Sequence, residues 1–156
     1  MSSSLCQCRR CGLRSSTYDR FDTNVDSALM RPGHHDVVVG WLDRHRRSTV
    51  WTTVITLMEI RHGLEFLDAG HRRRLLEDAF RSAIEIDLRC SVLPFTAHAA
   101  DLAGEVGAAR QKSGQNIDRN DTMIVGIVLS VQATLATRNT RHFDDLPLSL
   151  VDPWSA

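Results

Sequence analysis

The sequence lacks an apolar run near the roughly 18 residues that a membrane-spanning helix needs, and its N-terminus lacks the apolar core of a signal peptide. We therefore expect a cytoplasmic protein without membrane contact. It also lacks an excess of either charge, because 19 Lys and Arg residues balance 19 Asp and Glu residues. Nucleic-acid binding would require locally clustered cations. Nearly all cations are Arg, whose planar guanidinium suits phosphates, although a compositional bias of the genome would look the same.

Cysteine is also scarce, and three of its four positions are close together: Cys6, Cys8 and Cys11, with Cys90 far away. A structural zinc site needs four ligands, and the fourth is missing near this cluster. Cys90 or a histidine would have to complete it in three dimensions, so reduced thiols on a tail are the favoured alternative. Residues 1–16 are rich in Ser, Cys and Arg without apolar periodicity, which predicts a disordered tail before a single domain at residues 17–156.

Strand and helix patterns alternate along that domain without an internal repeat. Helices are predicted from Asn24 to the residue before Pro32, over Asp36–His45, from Thr56 to a stop at Gly70, over His71–Leu88, from the N-cap Thr96 to Ser113, and over Met123–Gln132. Strands are predicted over Tyr18–Thr23, Thr49–Val54, Ser91–Phe95, Ala133–Thr137 and Leu148–Pro153. This alternation predicts the α/β class, a three-layer α/β/α sandwich around a mainly parallel sheet.

Three acids fall where such a fold places a site, beyond the carboxyl ends of the strands. Asp22 closes the first strand, Glu59 is in the opening turns of the helix after the second, and Asp121 precedes the apolar helix. Converging carboxylates need a cation, and oxygen-only ligands suit Mg²⁺ or Mn²⁺. Taken singly, each acid is explained equally well as a helix cap, a helix N-terminal charge or a solvated residue.

Five blocks in order make the chain resemble the PIN-domain ribonucleases, and within them the VapC/FitB-like toxins of bacterial toxin–antitoxin pairs. They are DTNV with LMRP after it (from Asp22), TLMEIRHGL (Thr56–Leu64), NDTMIVGIV (Asn120–Val128), LATRNTRHF (Leu135–Phe143) and DPW (Asp152–Trp154). The resemblance covers roughly Tyr18 to Trp154. DTN alone would be a weak signal, whereas ordered blocks around a site already indicated by topology are specific.

The resemblance implies that Asp22, Glu59 and Asp121 are the catalytic and metal-binding acids, with Thr137 and Asn139 as polar neighbours. It also implies a Mg²⁺-dependent endoribonuclease toxin that forms a homodimer, acts on RNA and is blocked by a cognate VapB-like antitoxin. Phosphate contacts are expected from basic residues around the acidic pocket, Arg61 and Arg138 first among them, with the further candidates Arg72, Arg73, Arg74, Arg110 and Lys112.

The chain departs from the family pattern in the loop after the penultimate strand. Many relatives have a fourth acid there, but Asn139 and His142 are not acidic. The candidates to replace it are Asp118, Asp144 and Asp145. A competing hypothesis is therefore a catalytically degenerate protein of this fold that binds an antitoxin or RNA without cleavage. A phosphoacceptor signalling domain ranks lower, because it would need an early acid pair and a late lysine.

Overall fold

Five strands and four helices form the part of the chain that the computed structural model describes, residues 19–21, 40, 41, 44, 50–82, 84, 85, 91–115 and 118–155. The strands are β1 (Asp19–Phe21), β2 (Val50–Thr53), β3 (Val92–Leu93), β4 (Thr134–Ala136) and β5 (Ser149–Val151). The helices are α1 (Val54–Glu65), α2 (His71–Ser82), α3 (Ala97–Lys112) and α4 (Arg119–Ser130), with a 3₁₀ helix at Thr140–His142. The predicted tail and most of the first two predicted helices lie outside these residues.

The strands form one sheet in the order β3-β2-β1-β4-β5, and every neighbouring pair is parallel. The chain adds strands in one direction from β1 to β3 and then moves to the other side of β1 for β4 and β5. Crossovers between parallel strands are almost always right-handed, so this reversal puts α3 and α4 on the face opposite the β2–β3 connection. The predicted fold class, an α/β sandwich with a mainly parallel sheet, is confirmed.

The boundary between β2 and α1 was predicted wrongly. The β-branched run through Val54 predicted a strand to that residue and a helix from Thr56, but α1 already begins at Val54. Thr53 caps the helix, because its hydroxyl accepts a hydrogen bond from the backbone N–H of Thr56 at 3.1 Å. A local cap thus overrides the strand preference of Val54 and Ile55.

The other boundaries differ by a few residues. Thr96 caps α3 as predicted, through a 3.2 Å hydrogen bond from the Ala99 N–H. α4 begins earlier than predicted, at Arg119, because Asp118 is its cap. α2 ends at Ser82 instead of continuing regularly to Leu88, and Ile84 and Glu85 are π-helical.

The core lies where α4 packs against α3 and the sheet. Ile124, Val125, Ile127 and Val128 of α4 are buried together with Leu135 of β4. Gly126 lets the two helices approach closely: a Cβ at this position would overlap the Ala99 carbonyl oxygen and lie 2.7 Å from the Ala103 Cβ. The close packing fixes the N-terminus of α4 relative to the sheet.

Ion pairs join α1 to α2. Arg73 binds Glu65 of α1 at 2.5 Å and Glu77 of its own helix at 2.9 Å. The hydrogen bond from Arg73 lowers the pKa of Glu65, with a further contribution from the charge of Arg61. Hydrogen bonds to the two carboxylates raise the pKa of Arg73.

Candidate functional site

The sheet brings the carboxyl ends of β1 and β4 side by side. The order of strands reverses between these two, and the crevice beyond such a reversal is the usual ligand site of an open parallel sheet. Phe21 of β1 is in register with Ala136 of β4. Asp22, the first predicted acid, follows Phe21 in the sequence but lies outside the described residues. Its role therefore stays a prediction.

Glu59, the second predicted acid, contacts the start of another helix. It lies in the early turns of α1, and its side chain is half-buried. Asn120 Nδ2 donates a 3.0 Å hydrogen bond to Glu59 Oε1, across 61 positions of sequence. This bond orients the carboxylate and holds α1 against the N-terminus of α4.

Asp121, the third predicted acid, lies in the first turn of α4 and is half-buried. The cap Asp118 fixes this turn, because its carboxylate accepts a 2.7 Å hydrogen bond from the Asn120 N–H and its carbonyl accepts a 2.9 Å bond from the Thr122 hydroxyl. The positive end of the helix dipole favours a carboxylate at this position. Because Asn120 precedes Asp121 and binds Glu59, the structure brings Glu59 to the helix turn that contains Asp121.

Thr137 and Asn139 follow β4 directly, at the edge where they were predicted. Thr137 is fully buried, and its N–H donates a 2.9 Å hydrogen bond to the Val151 carbonyl. Its hydroxyl accepts a 3.0 Å hydrogen bond from the Asn139 N–H. Thr137 therefore shapes the turn, and Asn139 is exposed beyond it.

The two predicted RNA contacts have different surroundings. Arg61 pairs with Glu65 at 2.6 Å and with Glu77 at 3.8 Å, so its charge is offset by two carboxylates. The Arg138 guanidinium lies over the ring of Trp154, with 5.6 Å from Cζ to the ring centroid. Only Arg138 of this pair follows a strand at the candidate site.

Arg110, a further predicted phosphate contact, does not reach the surface. It is buried in α3 and donates hydrogen bonds to the Asp145 carboxylate and, at 2.6 Å, to the His142 carbonyl. The expectation that Arg110 contacts phosphate is therefore wrong. The same contacts argue against Asp145 as the replacement for the missing fourth acid, and Asp118 is committed to capping α4.

The donor chemistry fits a hard divalent cation. Glu59 and Asp121 supply carboxylate oxygens, and the polar residues beyond β4 are oxygen or amide groups, which Mg²⁺ and Mn²⁺ prefer to sulfur. Within the residues described, no group of three or more His, Cys, Asp and Glu side chains is arranged to hold a metal ion. The remaining predicted acid, Asp22, lies outside these residues. In the same described residues, no helix is long and apolar enough to cross a membrane.

Sequence reasoning missed the contacts that three residues make at this edge, Asn120 with Glu59, Arg110 with Asp145, and Trp154 with Arg138. Asn120 has no periodic signal, and only its position beside Asp121 draws notice. Arg110 was considered only as a phosphate contact, although a cation among the small packing residues of α3 was a signal that it needs a partner within the fold. Trp154 was noted only as part of a block near the end of the chain.

Comparison with known proteins agrees with this geometry. Residues 21–147 match the family model described as PIN domain. The protein named VapC ribonuclease Y4jK, from Sinorhizobium fredii, is 30% identical over 133 residues, which cover 85% of this chain and 95% of the relative. Toxin FitB from Neisseria gonorrhoeae is 29% identical over 85% of this chain and 96% of its own length.

Solved structures give the same picture. The crystal structure of FitAcB from Neisseria gonorrhoeae matches with a TM-score of 0.78 and 28% identity, over 88% of this chain and 99% of that chain. More distant structures, at 19% and 23% identity, are described as belonging to toxin–antitoxin systems. At that identity the likeness shows the fold alone.

Proposed function

This chain belongs to the PIN-domain family, among the ribonuclease toxins of the VapC and FitB type, and from that membership we propose that it hydrolyses RNA at an acidic Mg²⁺ site. The predicted family resemblance is confirmed. The site would consist of Asp22, Glu59 and Asp121, with Mn²⁺ as an alternative ion. RNA phosphodiester bonds are the proposed substrate, and the cell interior is the proposed location.

One contact supports this proposal most directly, the hydrogen bond from Asn120 to Glu59. It joins two segments 61 positions apart and holds an acid of α1 at the helix turn that bears Asp121. Neither acid is the cap of its helix, because Thr53 caps α1 and Asp118 caps α4, and two carboxylates near one helix start are ligands that suit a hard divalent cation. The arrangement supports cation binding over simple helix capping.

Each proposed residue has a distinct part in hydrolysis. Bound Mg²⁺ would supply an acidified water and offset negative charge on the leaving oxygen. Glu59, with one oxygen fixed by Asn120, holds its second oxygen in a defined direction. Asp121 presents its carboxylate from the first turn of α4, where the helix dipole favours an anion. Thr137 keeps the turn after β4 closed, so that Asn139 stays at the rim.

We also propose a cognate antitoxin and a homodimer for this chain. The antitoxin proposal is supported by membership of the toxin family and by the 29% identity to the protein named Toxin FitB. The homodimer rests on the resemblance alone. Sedimentation of the purified chain with and without its antitoxin would test both.

A second candidate function is antitoxin or RNA binding without cleavage. Its support is the loop after β4, where Asn139 and His142 stand in place of an acid and Asp145 is paired with Arg110. This reading predicts metal-independent binding and no hydrolysis.

Cleavage of a mixed RNA pool by the purified chain distinguishes the two functions. We expect hydrolysis with Mg²⁺ or Mn²⁺, none with EDTA, and none with Asp121→Asn or Glu59→Gln. The matched control is Glu105→Gln, an exposed acid in the middle of α3, which should cleave like the unchanged chain.

Calorimetric titration with Mn²⁺ provides a readout that does not depend on the choice of RNA. We expect Mn²⁺ binding by the unchanged chain and by Glu105→Gln. Binding by Asp121→Asn should be at least tenfold weaker, because one carboxylate of the proposed site is lost. Folded protein that neither binds Mn²⁺ nor cleaves RNA would refute the metal-site proposal and favour the binding-only function.

A further inference from the structure

Arg138 and Trp154 form a pair at the same edge of the sheet as the proposed metal site. Arg138 lies just beyond β4 and is exposed, whereas Trp154 lies beyond β5 and is half-buried. The guanidinium Cζ is 5.6 Å from the centroid of the indole ring, within the range of a cation–π contact.

The sheet fixes the positions of both partners. β4 and β5 are parallel neighbours in which Ala136 is in register with Val151, so the chain leaves both strands at one edge. The Thr137 N–H continues this pairing with its bond to the Val151 carbonyl. Beyond β5, the backbone N–H of Trp154 donates a 2.9 Å hydrogen bond to the Asp152 carboxylate, and this bond closes a tight turn. The indole is therefore presented by an ordered segment.

The kind of partner distinguishes Arg138 from the arginines whose ion pairs are described above. Arg61, Arg73 and Arg110 each lie against carboxylates, which offset their charge. An aromatic face restrains the guanidinium by its quadrupole and carries no opposite net charge. The contact with Trp154 thus restricts the rotamers of Arg138 while its positive charge and N–H fork remain suited to an anion.

We propose that Arg138, held in place by Trp154, binds the backbone of single-stranded RNA beside the acidic site. Arg138 contacts a phosphate, and Trp154 is a positioning residue that acts through Arg138. An acidic pocket repels RNA, so a fixed cation at its rim offsets that repulsion and sets where the strand enters. This inference rests on the proposed function, because it takes RNA as the substrate of the neighbouring site.

Binding measurements can separate this contact from cleavage. The probe is a fluorescein-labelled single-stranded RNA of mixed sequence, titrated by anisotropy with the Asp121→Asn chain in EDTA at several salt concentrations. Added to that background, Arg138→Ala should weaken binding about tenfold and reduce the salt slope of log K by about 0.7, the value for one single-strand phosphate contact. Arg81→Ala, an exposed and ion-paired arginine of α2, is the charge-matched control and should bind like the background chain.

Two variants test the positioning role of the indole. Trp154→Phe keeps an aromatic face and should bind within about twofold of the background chain, whereas Trp154→Leu should bind several-fold more weakly with an unchanged salt slope. In the double variant, Trp154→Leu should add no further loss to Arg138→Ala, because both act through one contact. A purely structural role for Trp154 would instead give an independent loss.

Three outcomes would overturn the inference: equal binding by Arg138→Ala and Arg81→Ala, an unchanged salt slope in Arg138→Ala, or no RNA binding by the background chain. Circular dichroism checks that Trp154→Leu is folded, and Arg138→Ala remains decisive if it is not. Failure here leaves the metal site untouched, because Mn²⁺ binding and Mg²⁺-dependent cleavage are measured without these variants.

Discussion

Gly126→Ala is the substitution whose effect the structure defines most sharply. A Cβ at position 126 would overlap the Ala99 carbonyl oxygen and lie 2.7 Å from the Ala103 Cβ and 3.0 Å from the Ala103 nitrogen. Two of these three atoms are backbone, and the third is a Cβ that cannot rotate away. α3 and α4 would therefore have to move apart, which disturbs the contact that orients the start of α4.

The expected magnitude follows from two opposing effects. Overpacking of a filled core costs about 1 to 3 kcal/mol, and the rigid neighbours put this site at the upper end. Replacing a mid-helix glycine by alanine returns up to about 1 kcal/mol of helix propensity. We expect the free energy of unfolding to fall by about 2 kcal/mol, and the melting temperature of this 156-residue chain to fall by about 4 to 8 °C.

Urea unfolding followed by far-ultraviolet circular dichroism measures this difference. Gly104→Ala is the matched control, because a Cβ there meets nothing within 4 Å and the residue lies in the middle of α3. It should stabilise the chain by about 0.4 to 1 kcal/mol. If Gly126→Ala proved as stable as Gly104→Ala, the close approach of α3 and α4 would be wrong.

Two further predictions concern charged groups. Asp145→Asn should lower the free energy of unfolding, measured in urea, by about 2 kcal/mol. This is less than for a fully buried pair, because Arg110 is buried but Asp145 is one-third exposed. In an Arg110→Met background the same change should have a smaller effect, and equal effects in the two backgrounds would contradict the pairing. Glu65→Gln should reduce stability near neutral pH. Because Arg73 lowers the pKa of Glu65 below its ordinary value of 4.5, the stabilisation is present above that value and is lost as the pH falls through the lowered pKa. Thermal melts from pH 7 to pH 3 should therefore show the melting temperatures of Glu65→Gln and the unchanged chain converging at acid pH. A difference in melting temperature that stays constant with pH would refute this cause, and Glu105→Gln is the control.

Local sequence patterns predicted the elements of this fold well. Strand and helix periodicities depend on neighbouring residues, and caps such as Thr96 act over one turn, so both can be recognised in a single segment. The parallel sheet followed from the alternation of these elements. The boundary at Val54 was missed because β-branched residues favour strands, whereas the Thr53 cap starts a helix.

The sequence by itself determined which residue types stand at strand ends, and therefore that acids, a polar turn and an arginine share one edge of the sheet. Only the tertiary structure decided which of them meet. Asn120 reaches Glu59 across 61 positions and Arg110 reaches Asp145 across 35, and no periodic pattern records such distances. The fold also decided which kind of side chain each arginine contacts. Carboxylates offset the positive charges of Arg61 and Arg110, whereas Arg138 contacts the uncharged ring of Trp154. The physical reason is that charge compensation depends on distance in space, which the fold sets and the order of residues does not.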